Sequence, residues 1–327
     1  GKAAQARLSD YSSAANRFSE YCPELCITRI TKRMVADFMV LLEQLPVRPK
    51  AEIKRLSLLD QIDKAKENSL PVLSPRTVKK QMQAISAVFT HAQNKGLITT
   101  NPVHGVVKSL VIEVSNEERG YTDEELNTVF SSPIYTSGFQ PEKRDYGQAH
   151  YWIPLILYYT GARLEEIAQL YVEDVFLSDP IPHILITNKR DDQSTKTGLE
   201  RRVPIHQHLF DLGFAEFVGE QSSSGRLFVK LASNSNDKYG YAIGKWLGEY
   251  FKNKLRLSRG NLKPMHDFRH TFITRCRVLG VRKDMQDAIT GHSQSDVSGG
   301  YGTFPLGSLK ELIEQIPRCS VDLREVG

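Results

Sequence analysis

The chain has 327 residues, 40% hydrophobic and 25% charged, which is long and apolar enough for two domains with separate cores. A net charge of +5 is compatible with a nucleic-acid partner, while the lack of a signal-peptide pattern and of a long uncharged apolar run argues against secretion and membrane spanning. The four cysteines predict reduced thiols of a cytoplasmic protein, because Cys22 and Cys26 have no second Cys/His pair with which to complete a zinc site.

Residues 1 to about 110 predict helices only. Apolar stripes indicate the first two helices, and Pro46 ends the second. The stripes consist of Leu8, Tyr11, Ala15 and Phe18 in the first helix, and of Val35, Phe38, Leu41, Leu42 and Leu45 in the second. A highly charged third helix is predicted over 51–67, and a fourth begins at Ser74 and Pro75 and closes at Gly96.

One face of the fourth helix carries cations and an amide: Arg76, Lys79, Lys80 and Gln83. From Ser74 to Leu110 the chain has five Lys or Arg and no Asp or Glu. Because such a block suits a polyanion, we predict that this face binds DNA phosphates. The alternative is the solvated surface of a helical bundle, which the complete lack of acids disfavours.

The second part of the chain mixes helices with short strands. Turn residues from Asn101 onward predict a join, so we expect a first domain at 1–112, a linker at 113–120 and a second domain at 121–327. Thr122 begins a helix with acids in its first turn, which is a capping pattern. Further elements are predicted as a buried helix at 151–159, strands at 183–187, 202–205 and 227–230, and an amphipathic helix at 309–316.

Two turns in this part carry cations. After the buried helix, Thr160-Gly161-Ala162-Arg163 forms a glycine turn from which Arg163 begins a new helix. The first two predicted strands form a hairpin with a polar loop, 188–199, that holds Lys189, Arg190 and Lys196. The loop is expected to be a mobile cationic tip.

The segment 252–283 is strongly cationic, with ten Lys or Arg and a single acid. Apolar spacing within it predicts a helix over 267–279, with Asp267 as N-cap and Gly280 as stop. His266 then stands just before the N-cap and Arg269 in the first turn, where unpaired N–H groups favour an anion. The pattern is typical of a phosphate site.

A shorter helix, 284–290, is predicted to end at Gly291. His292 follows directly, and Tyr301 comes nine residues later in a glycine-rich turn. No Asp or Glu cluster has metal-ligand spacing, since the loop acids Asp191 and Asp192 are better explained as solvated. We therefore predict a reaction that uses neither a metal nor another cofactor.

Each of these features alone is weak, because glycine turns, His-x-x-Arg and loop tyrosines are common for structural reasons. Their order and spacing together resemble the tyrosine recombinase (phage integrase) family. Its signature is Thr-Gly-x-Arg-x-x-Glu, a hairpin lysine, His-x-x-Arg, Gly-His and a tyrosine nine residues on. The positions are filled by Arg163, Lys196, His266, Arg269, His292 and Tyr301. The resemblance extends into the first domain, at 74–77 and 95–102.

The resemblance implies a mainly α fold with a small antiparallel β-sheet. An all-helical, SAM-like core-binding domain would precede a mixed α/β catalytic domain, and the two would close around duplex DNA. Tyr301 would attack the scissile phosphate to form a 3′-phosphotyrosine, with His266 as candidate base, His292 assisting and Lys196 as candidate acid. Glu166 is expected to orient an arginine, and Asp174 to be structural.

The family also implies partners and a setting. These are double-stranded DNA attachment sites, a homotetramer on DNA, and accessory factors that bend DNA or set direction. The final helix, 309–316, is expected to pack on a neighbouring protomer. No membrane partner is expected, and the setting would be the cytoplasm and nucleoid of a bacterium that hosts a phage or genomic island.

Two alternatives remain open from the sequence. A type IB topoisomerase or telomere resolvase resembles the same catalytic core but exchanges no strands with a recombination partner. A DNA-binding regulator on the same fold would have no catalysis, although all six signature positions are filled here. Strand transfer by an integrase is the preferred prediction.

Overall fold

The structure, a computed structural model, describes residues 2–23, 26–110, 120–142, 144–222, 225–257, 259–260, 262–292 and 304–321, with the main chain only for residues 2–7, 9, 10, 108 and 109. It divides into two compact units, residues 1–116 and 117–327. The division falls inside the predicted linker, 113–120, most of which lies outside the described residues. The domain bounds therefore remain a prediction.

Helices make up the described part of the first unit. They are α1 (Lys2–Tyr21), α2 (Lys32–Gln44), α3 (Ala51–Lys54), α4 (Leu58–Glu67) and α5 (Pro75–Asn94). Their apolar faces share one core, where Phe18 meets Phe38 and Phe89 edge to face at centroid distances of 5.0 and 5.9 Å. The stripe predicted for the second helix is buried throughout, and Ser74 caps α5 as its sequence predicts.

Two predictions for this unit are wrong. The buried residues are Ala14 and Phe18 of α1 and Cys22 just after it, spaced by four, whereas Leu8 is 61% exposed and precedes the part of the helix that the core covers. Tyr11 is exposed as well. The helix predicted over 51–67 is interrupted between α3 and α4, because the Ser57 hydroxyl accepts a hydrogen bond from the Asp60 N–H and begins a new helix there.

Asn101 ties the segment after α5 back onto that helix. Its Nδ2 donates to the Ser86 carbonyl at 3.0 Å and to the Thr90 hydroxyl at 2.9 Å, and its Oδ1 accepts from the Val103 N–H at 2.9 Å. The side chain is 5% exposed, so these bonds satisfy a buried amide. The turn is thereby held in a defined conformation against the cationic helix.

The second unit packs ten described helices around a small sheet. They are α6 (Asp123–Phe130), α7 (Pro133–Thr136), α8 (Ala149–Thr160), α9 (Leu164–Ala168), α10 (Gln207–Asp211), α11 (Phe214–Gly219), α12 (Gly240–Asn253), α13 (Pro264–Val278), α14 (Lys283–Thr290) and α15 (Leu306–Glu314). Thr122 and Glu125 form the predicted capping box at the start of α6. This unit contains the candidate site.

The sheet is antiparallel, in the order β1 (Val175–Phe176), β2 (His183–Ile186) and β3 (Arg201–Pro204). The predicted hairpin is present, with Ile184 paired to Val203. The strand predicted at 227–230 is wrong, because that segment makes a single bridge at Arg226 and then turns back, with the Leu231 N–H donating to the Phe228 carbonyl. The third strand is instead β1.

Helices α8 and α13 cross at the centre of this unit. Phe268 and Phe272 of α13 are fully buried beside α8. Gly161, at the end of α8, has a φ of +58°, and a Cβ there would lie 2.7 Å from the Phe272 ring. Both the left-handed conformation and the close approach require glycine at this turn. The turn places Arg163 at the N-cap of the next helix, α9.

Helix α15 packs within its own unit, against β3. Leu309, Leu312 and Ile313 are buried, and the Lys310 ammonium donates to the Ile205 carbonyl at 2.7 Å. The buried face of α15 is therefore covered within its own unit, and packing of this helix on a neighbouring protomer stays a prediction.

The predicted fold class, mainly α with a small antiparallel sheet, is confirmed. Most described residues of both units lie in helices, and the three strands of the sheet contain ten residues in total. None of the described helices is long and apolar enough to cross a membrane.

Candidate active site

Helix α13 begins three residues earlier than its sequence pattern predicts. Pro264 is its first residue, a position where a missing N–H costs nothing. Asp267 is therefore not the N-cap but lies in the first turn, where its Oδ2 accepts a hydrogen bond from the Lys263 N–H at 2.8 Å. His266 therefore lies inside helix α13, and Arg269 lies in the second turn of that helix.

Arg269 is fixed between two chain segments. It is 2% exposed, and its Nη1 donates to the Gly161 carbonyl at 2.8 Å and to the Thr290 carbonyl. Its Nη2 faces Nδ1 of His292 at 3.1 Å. The guanidinium thus joins the turn after α8 to the end of α14, next to the predicted Gly-His motif.

The charge of Arg269 is incompletely balanced. Burial lowers its pKa to about 9, and repulsion from Arg163 and Arg201 adds to this, while Glu166 and Asp287 oppose it. The group remains protonated at neutral pH. An anion that binds here would relieve the repulsion among these cations.

Glu166 holds two arginines. It is 2% exposed, and its Oε1 accepts from Nη1 of Arg163 at 3.0 Å while its Oε2 accepts from Nη2 of Arg201 at 2.6 Å. Burial alone would raise the pKa of Glu166, but the two arginines outweigh burial and hold that pKa below its ordinary value. The carboxylate is therefore ionised. It contacts Arg163, one of the arginines that Glu166 could orient as predicted.

Arg201 is not among the residues predicted from the sequence. Its Nε donates to the Ile289 carbonyl at 2.7 Å, so it joins β3, α9 and α14 through one side chain. Strand alternation is the signal that could have revealed it, because Arg201 and the fully buried Val203 share a face while Arg202 is exposed on the other. Gly291 lies directly against this guanidinium, since a Cβ there would be 2.6 Å from Nη1.

The two predicted histidines flank the arginines. Partial burial and, in decreasing order, the neighbouring His270, Arg269, Lys263 and Arg163 together lower the pKa of His266 to about 4. The residue is nevertheless exposed to solvent. The ring centroid of His270 lies 4.7 Å from that of His266.

His292 lies at the other side of Arg269. Burial and Arg269 lower its pKa, whereas Asp287, with Oδ1 at 3.7 Å from Nδ1, opposes this. Arg163 approaches the same turn, with Nη1 at 3.4 Å from the Gly291 carbonyl. Arg163, Arg269 and the two histidines are therefore gathered at one place.

Lys196 lies on the exposed loop between β2 and β3. The other two loop cations are engaged, Lys189 with Glu200 at 3.2 Å and Arg190 with Asp174 at 2.8 Å. Within the described ranges Lys196 has no ion pair. Lys196, the predicted proton donor, is thus the loop cation that no described ion pair holds.

The prediction that both loop acids are solvated is half wrong. Asp191 is exposed, but Asp192 accepts a hydrogen bond from the Tyr171 hydroxyl at 2.7 Å and pairs with Arg226. Burial would raise the pKa of Asp192, but the Tyr171 hydroxyl and Arg226 hold it below its ordinary value. This pair anchors the base of the loop.

Three further predictions are not tested by this cluster. Tyr301 lies outside the described residues. The predicted DNA-binding face belongs to the first unit, where Arg76, Lys80 and Gln83 are exposed and Lys79 is half-buried. Among the residues that the structure describes, no three His, Cys, Asp or Glu side chains are grouped so as to hold a metal ion, and the metal-free reaction remains a prediction.

The gathered groups suit a phosphodiester. Two guanidinium groups can donate to phosphate oxygens in defined directions, which a mobile ammonium cannot do as well. Both are held by carbonyl or carboxylate partners before any ligand binds. Such a fixed arrangement stabilises charge that develops on phosphate oxygens during displacement.

Comparison with known proteins gives three findings. Residues 1–110 match the phage integrase SAM-like domain family. Over 163 residues the chain is 28% identical to tyrosine recombinase XerA of Pyrococcus horikoshii, which covers 50% of this chain and 53% of that protein. The chain therefore spans about half the length of this curated relative.

Solved structures share the fold across both units. A lambda integrase dimer bound to a COC′ core site is 13% identical with a TM-score of 0.57, over 92% of each chain. The XerH recombinase bound to palindromic difH substrate is 16% identical with a TM-score of 0.57, over 94% of this chain and 76% of that chain. The Tn1549 integrase with circular intermediate DNA is 17% identical with a TM-score of 0.52, over 88% of this chain and 86% of that chain.

Proposed function

We propose that this chain is a tyrosine recombinase, a site-specific DNA recombinase of the integrase type that cuts and rejoins DNA through a 3′-phosphotyrosine. The observation that carries the proposal is the meeting of Arg163, Arg269, His266 and His292 around one point of the second unit. These are four of the six residues that the motif order predicts from distant parts of the chain.

The nucleophile would be Tyr301. Its phenolic oxygen forms a bond to the scissile phosphorus, the bond from phosphorus to the 5′-oxygen breaks, and the protein is left joined to the 3′-phosphate. A phenol has an ordinary pKa of about 10, so it needs a base at neutral pH. His266 can serve, because its lowered pKa keeps the imidazole neutral and able to accept the proton.

Arg163 and Arg269 would stabilise the five-coordinate phosphorus. Negative charge accumulates on its non-bridging oxygens, and both guanidinium groups are already held in place by Glu166 and the Gly161 carbonyl. His292, whose Nδ1 faces Arg269, would donate to the same phosphate through its other nitrogen. The proton for the leaving 5′-oxygen would come from Lys196.

The covalent link keeps the energy of the broken bond. A 5′-hydroxyl from another strand can attack the phosphotyrosine and reverse the step, so strands can be exchanged without ATP. A metal ion is not needed for this chemistry, because the arginines supply the positive charge.

Double-stranded attachment sites would be the partner, and the cationic face of α5 would contact their phosphates. The solved structures of lambda integrase, XerH and the Tn1549 integrase that share this fold are complexes with DNA. We infer a homotetramer on two duplexes, together with factors that bend DNA or set direction. The site of action would be the nucleoid of the bacterial host, with a phage or genomic island as the mobile element.

The proposal can be tested by covalent capture. Nicked duplexes that tile the ends of the encoding element are incubated with the protein in EDTA. The nick lies near the crossover, so that the short cleaved strand diffuses away. We expect a denaturant-resistant protein–DNA adduct with the wild type and none with Tyr301→Phe, because the phenylalanine ring lacks the attacking oxygen.

Other outcomes would contradict parts of the proposal. An adduct with Tyr301→Phe would move the nucleophile to another residue. A lack of adduct for the wild type, on duplexes that it binds tightly, would favour a DNA-binding regulator. Relaxation of supercoiled plasmid without exchange between two attachment sites would favour a topoisomerase.

A further inference from the structure

Gln169 connects the end of α9 to the loop that carries Lys196. It directly follows α9 and is 1% exposed. Its Oε1 accepts a hydrogen bond from the Ser194 N–H at 2.9 Å, and its Nε2 donates to the Ser194 carbonyl at 2.9 Å. One buried amide thus pairs with both main-chain groups of Ser194, as a neighbouring strand would.

A second glutamine reinforces this contact from the loop side. Gln193 is 5% exposed, and its Nε2 donates to Oδ2 of Asp174 at 2.7 Å and to the Gln169 carbonyl at 3.4 Å. The Lys238 ammonium donates to the Ser194 hydroxyl at 2.9 Å. The loop is therefore tied to the body of the unit at 193 and 194, two residues before Lys196.

Helix α9 brings this tie close to the arginines. It has five residues, with Arg163 as N-cap and Gln169 just after its last residue. At 1.5 Å per residue it is about 8 Å long. Arg163 and the anchored Ser194 are thus held by the two ends of one short, rigid element.

We propose that Gln169 is a positioning residue for Lys196, a role that rests on the proposed recombinase function. Two residues of extended chain reach at most about 7 Å, so the tie at Ser194 limits where the Lys196 backbone can lie. Proton donation requires the ammonium to come within hydrogen-bond distance of the leaving oxygen. The hydrogen bonds of the Gln169 amide hold the main chain of the loop in a position from which the Lys196 ammonium can approach the leaving oxygen.

The reacting atoms define what the role must affect. The Tyr301 oxygen bonds to phosphorus, the bond to the 5′-oxygen breaks with its electron pair on that oxygen, and one proton passes from the Lys196 ammonium to it. If the 5′-oxygen is replaced by sulfur, the thiolate leaves without needing a proton, because a thiol is far more acidic than an alcohol. Loss of the acid, or of its positioning, should then no longer slow cleavage.

The test compares single-turnover cleavage of nicked duplexes that carry either oxygen or sulfur at the scissile 5′ position. We expect Gln169→Ala to cleave the oxygen substrate about 10- to 100-fold more slowly than the wild type, and Lys196→Ala to be at least as slow. Both should cleave the sulfur substrate within about threefold of the wild type. The double variant should be no slower than Lys196→Ala, because both changes remove the same step.

Controls separate positioning from a general structural loss. Gln221→Ala removes a glutamine bond to a main-chain carbonyl, that of Phe217 at 3.0 Å, elsewhere in the same unit, and it should cleave both substrates normally. Gln169→Met keeps the size of the side chain and adds no charge, but it loses both bonds to the Ser194 main chain. It should show a similar defect with the same rescue by sulfur, which keeps the test valid if Gln169→Ala does not fold.

Each contrary outcome has a defined meaning. Equal slowing of Gln169→Ala on both substrates, or normal cleavage of the oxygen substrate, would overturn the positioning role. A Lys196→Ala defect that sulfur does not rescue would overturn it too, because Lys196 would not be the acid. The proposed recombinase function fails separately, through the absence of any adduct with the wild type.

Discussion

The arginines and the lysine of the candidate site stand in opposite environments. Arg269 is 2% exposed and donates to two main-chain carbonyls, and the Glu166 carboxylate joins Arg163 to Arg201. We call these four residues the arginine side. Lys196 is exposed on a loop whose anchoring contacts include those of Gln193 and Ser194 just before it, and we call the loop 188–199 the lysine side.

The difference follows from what each side has to do. Groups that stabilise developing charge act best when they are fixed beforehand, because no reorganisation is then needed during the reaction. Such fixing has a cost here, since burial and like charges lower the pKa of Arg269 to about 9. A proton donor must approach only as the leaving oxygen separates, so an exposed side chain on a loop that is anchored nearby suits this role.

The largest expected effect is on the arginine side. Arg269→Ala should slow cleavage at least about 1,000-fold, because a fixed donor to the phosphate is lost. Arg269→Lys should be almost as slow, since an ammonium cannot reproduce the planar guanidinium that donates to the Gly161 and Thr290 carbonyls. The measurement is single-turnover adduct formation, with DNA affinity followed in parallel.

Lys196→Ala is the matched variant on the lysine side. It should slow cleavage by about 100-fold and leave the free energy of unfolding unchanged, because an exposed loop side chain is removed. The contrast between the arginine side and the lysine side would be contradicted if Lys196→Ala destabilised the fold. It would also be contradicted if Arg269→Ala lost DNA affinity in proportion to its loss of cleavage.

The next effect concerns the support of the arginines. Arg201→Met should lower the free energy of unfolding by about 3 kcal/mol, because it leaves half of a buried carboxylate without its partner. Cleavage should fall as well, since Glu166 then holds Arg163 less firmly. Urea denaturation measures the first effect and adduct formation the second.

Arg202→Met is the control for this change. Arg202 is adjacent in sequence but exposed on the other face of β3, so its replacement should alter stability by less than about 0.5 kcal/mol. Equal effects of the two substitutions would mean that Arg201 does not support the site.

A smaller effect is expected at the turn before His292. Gly291 has a φ of +66°, and a Cβ there would meet the Arg201 guanidinium at 2.6 Å. Gly291→Ala should cost about 1–2 kcal/mol from backbone strain and slow cleavage further by displacing Arg201. Gly280→Ala imposes the same strain at a φ of +68° with no atom within 4 Å, so it should lower stability without slowing cleavage.

The smallest effect is a pH dependence of stability. The pKa of His266 is lowered to about 4, and that of His292 is lowered too, so the unfolded chain takes up their protons first as the pH falls below about 6.5. Their contribution is therefore complete above pH 6.5 and lost towards pH 4. Both rings are partly exposed, which limits the loss to less than about 1 kcal/mol.

This dependence should come from the two histidines and not from the lysine side. Denaturation midpoints measured across this window should vary less in His266→Gln than in the wild type, whereas Lys196→Ala should leave the dependence unchanged. A dependence that Lys196→Ala abolished would show that the two sides are coupled in the free protein.

The sequence predicts the fold class and the order of the motifs because both depend on local patterns. Apolar spacing and caps predict α2, α5 and α6, and a glycine after α8 predicts the turn that presents Arg163. The start of α13 is missed by three residues, because the pattern ignores that Pro264 can open a helix without an N-terminal cap bond. The strand β1 is missed because two residues carry no periodicity.

The supports of the site could not be predicted, since they come from contacts between distant segments. Arg201 acts on Glu166 from 35 residues away, and Gln169 acts on Ser194 from 25 residues away. Strand alternation can place Arg201 on the buried face of its strand but does not reveal its partner, and a glutamine at a helix end has nothing distinctive in its neighbourhood. Their importance appears only when burial and partners are known.

The central claim, that the fixed arginines stabilise charge on a phosphate, is tested most directly by removing that charge. The substrate is a nicked duplex in which a neutral methylphosphonate replaces the scissile phosphate, and cleavage is compared between the wild type and Arg269→Ala. We predict that the defect of Arg269→Ala, about 1,000-fold on ordinary DNA, shrinks to about tenfold or less on the neutral substrate. An undiminished defect would contradict the account, since Arg269 would then act through structure rather than through its charge.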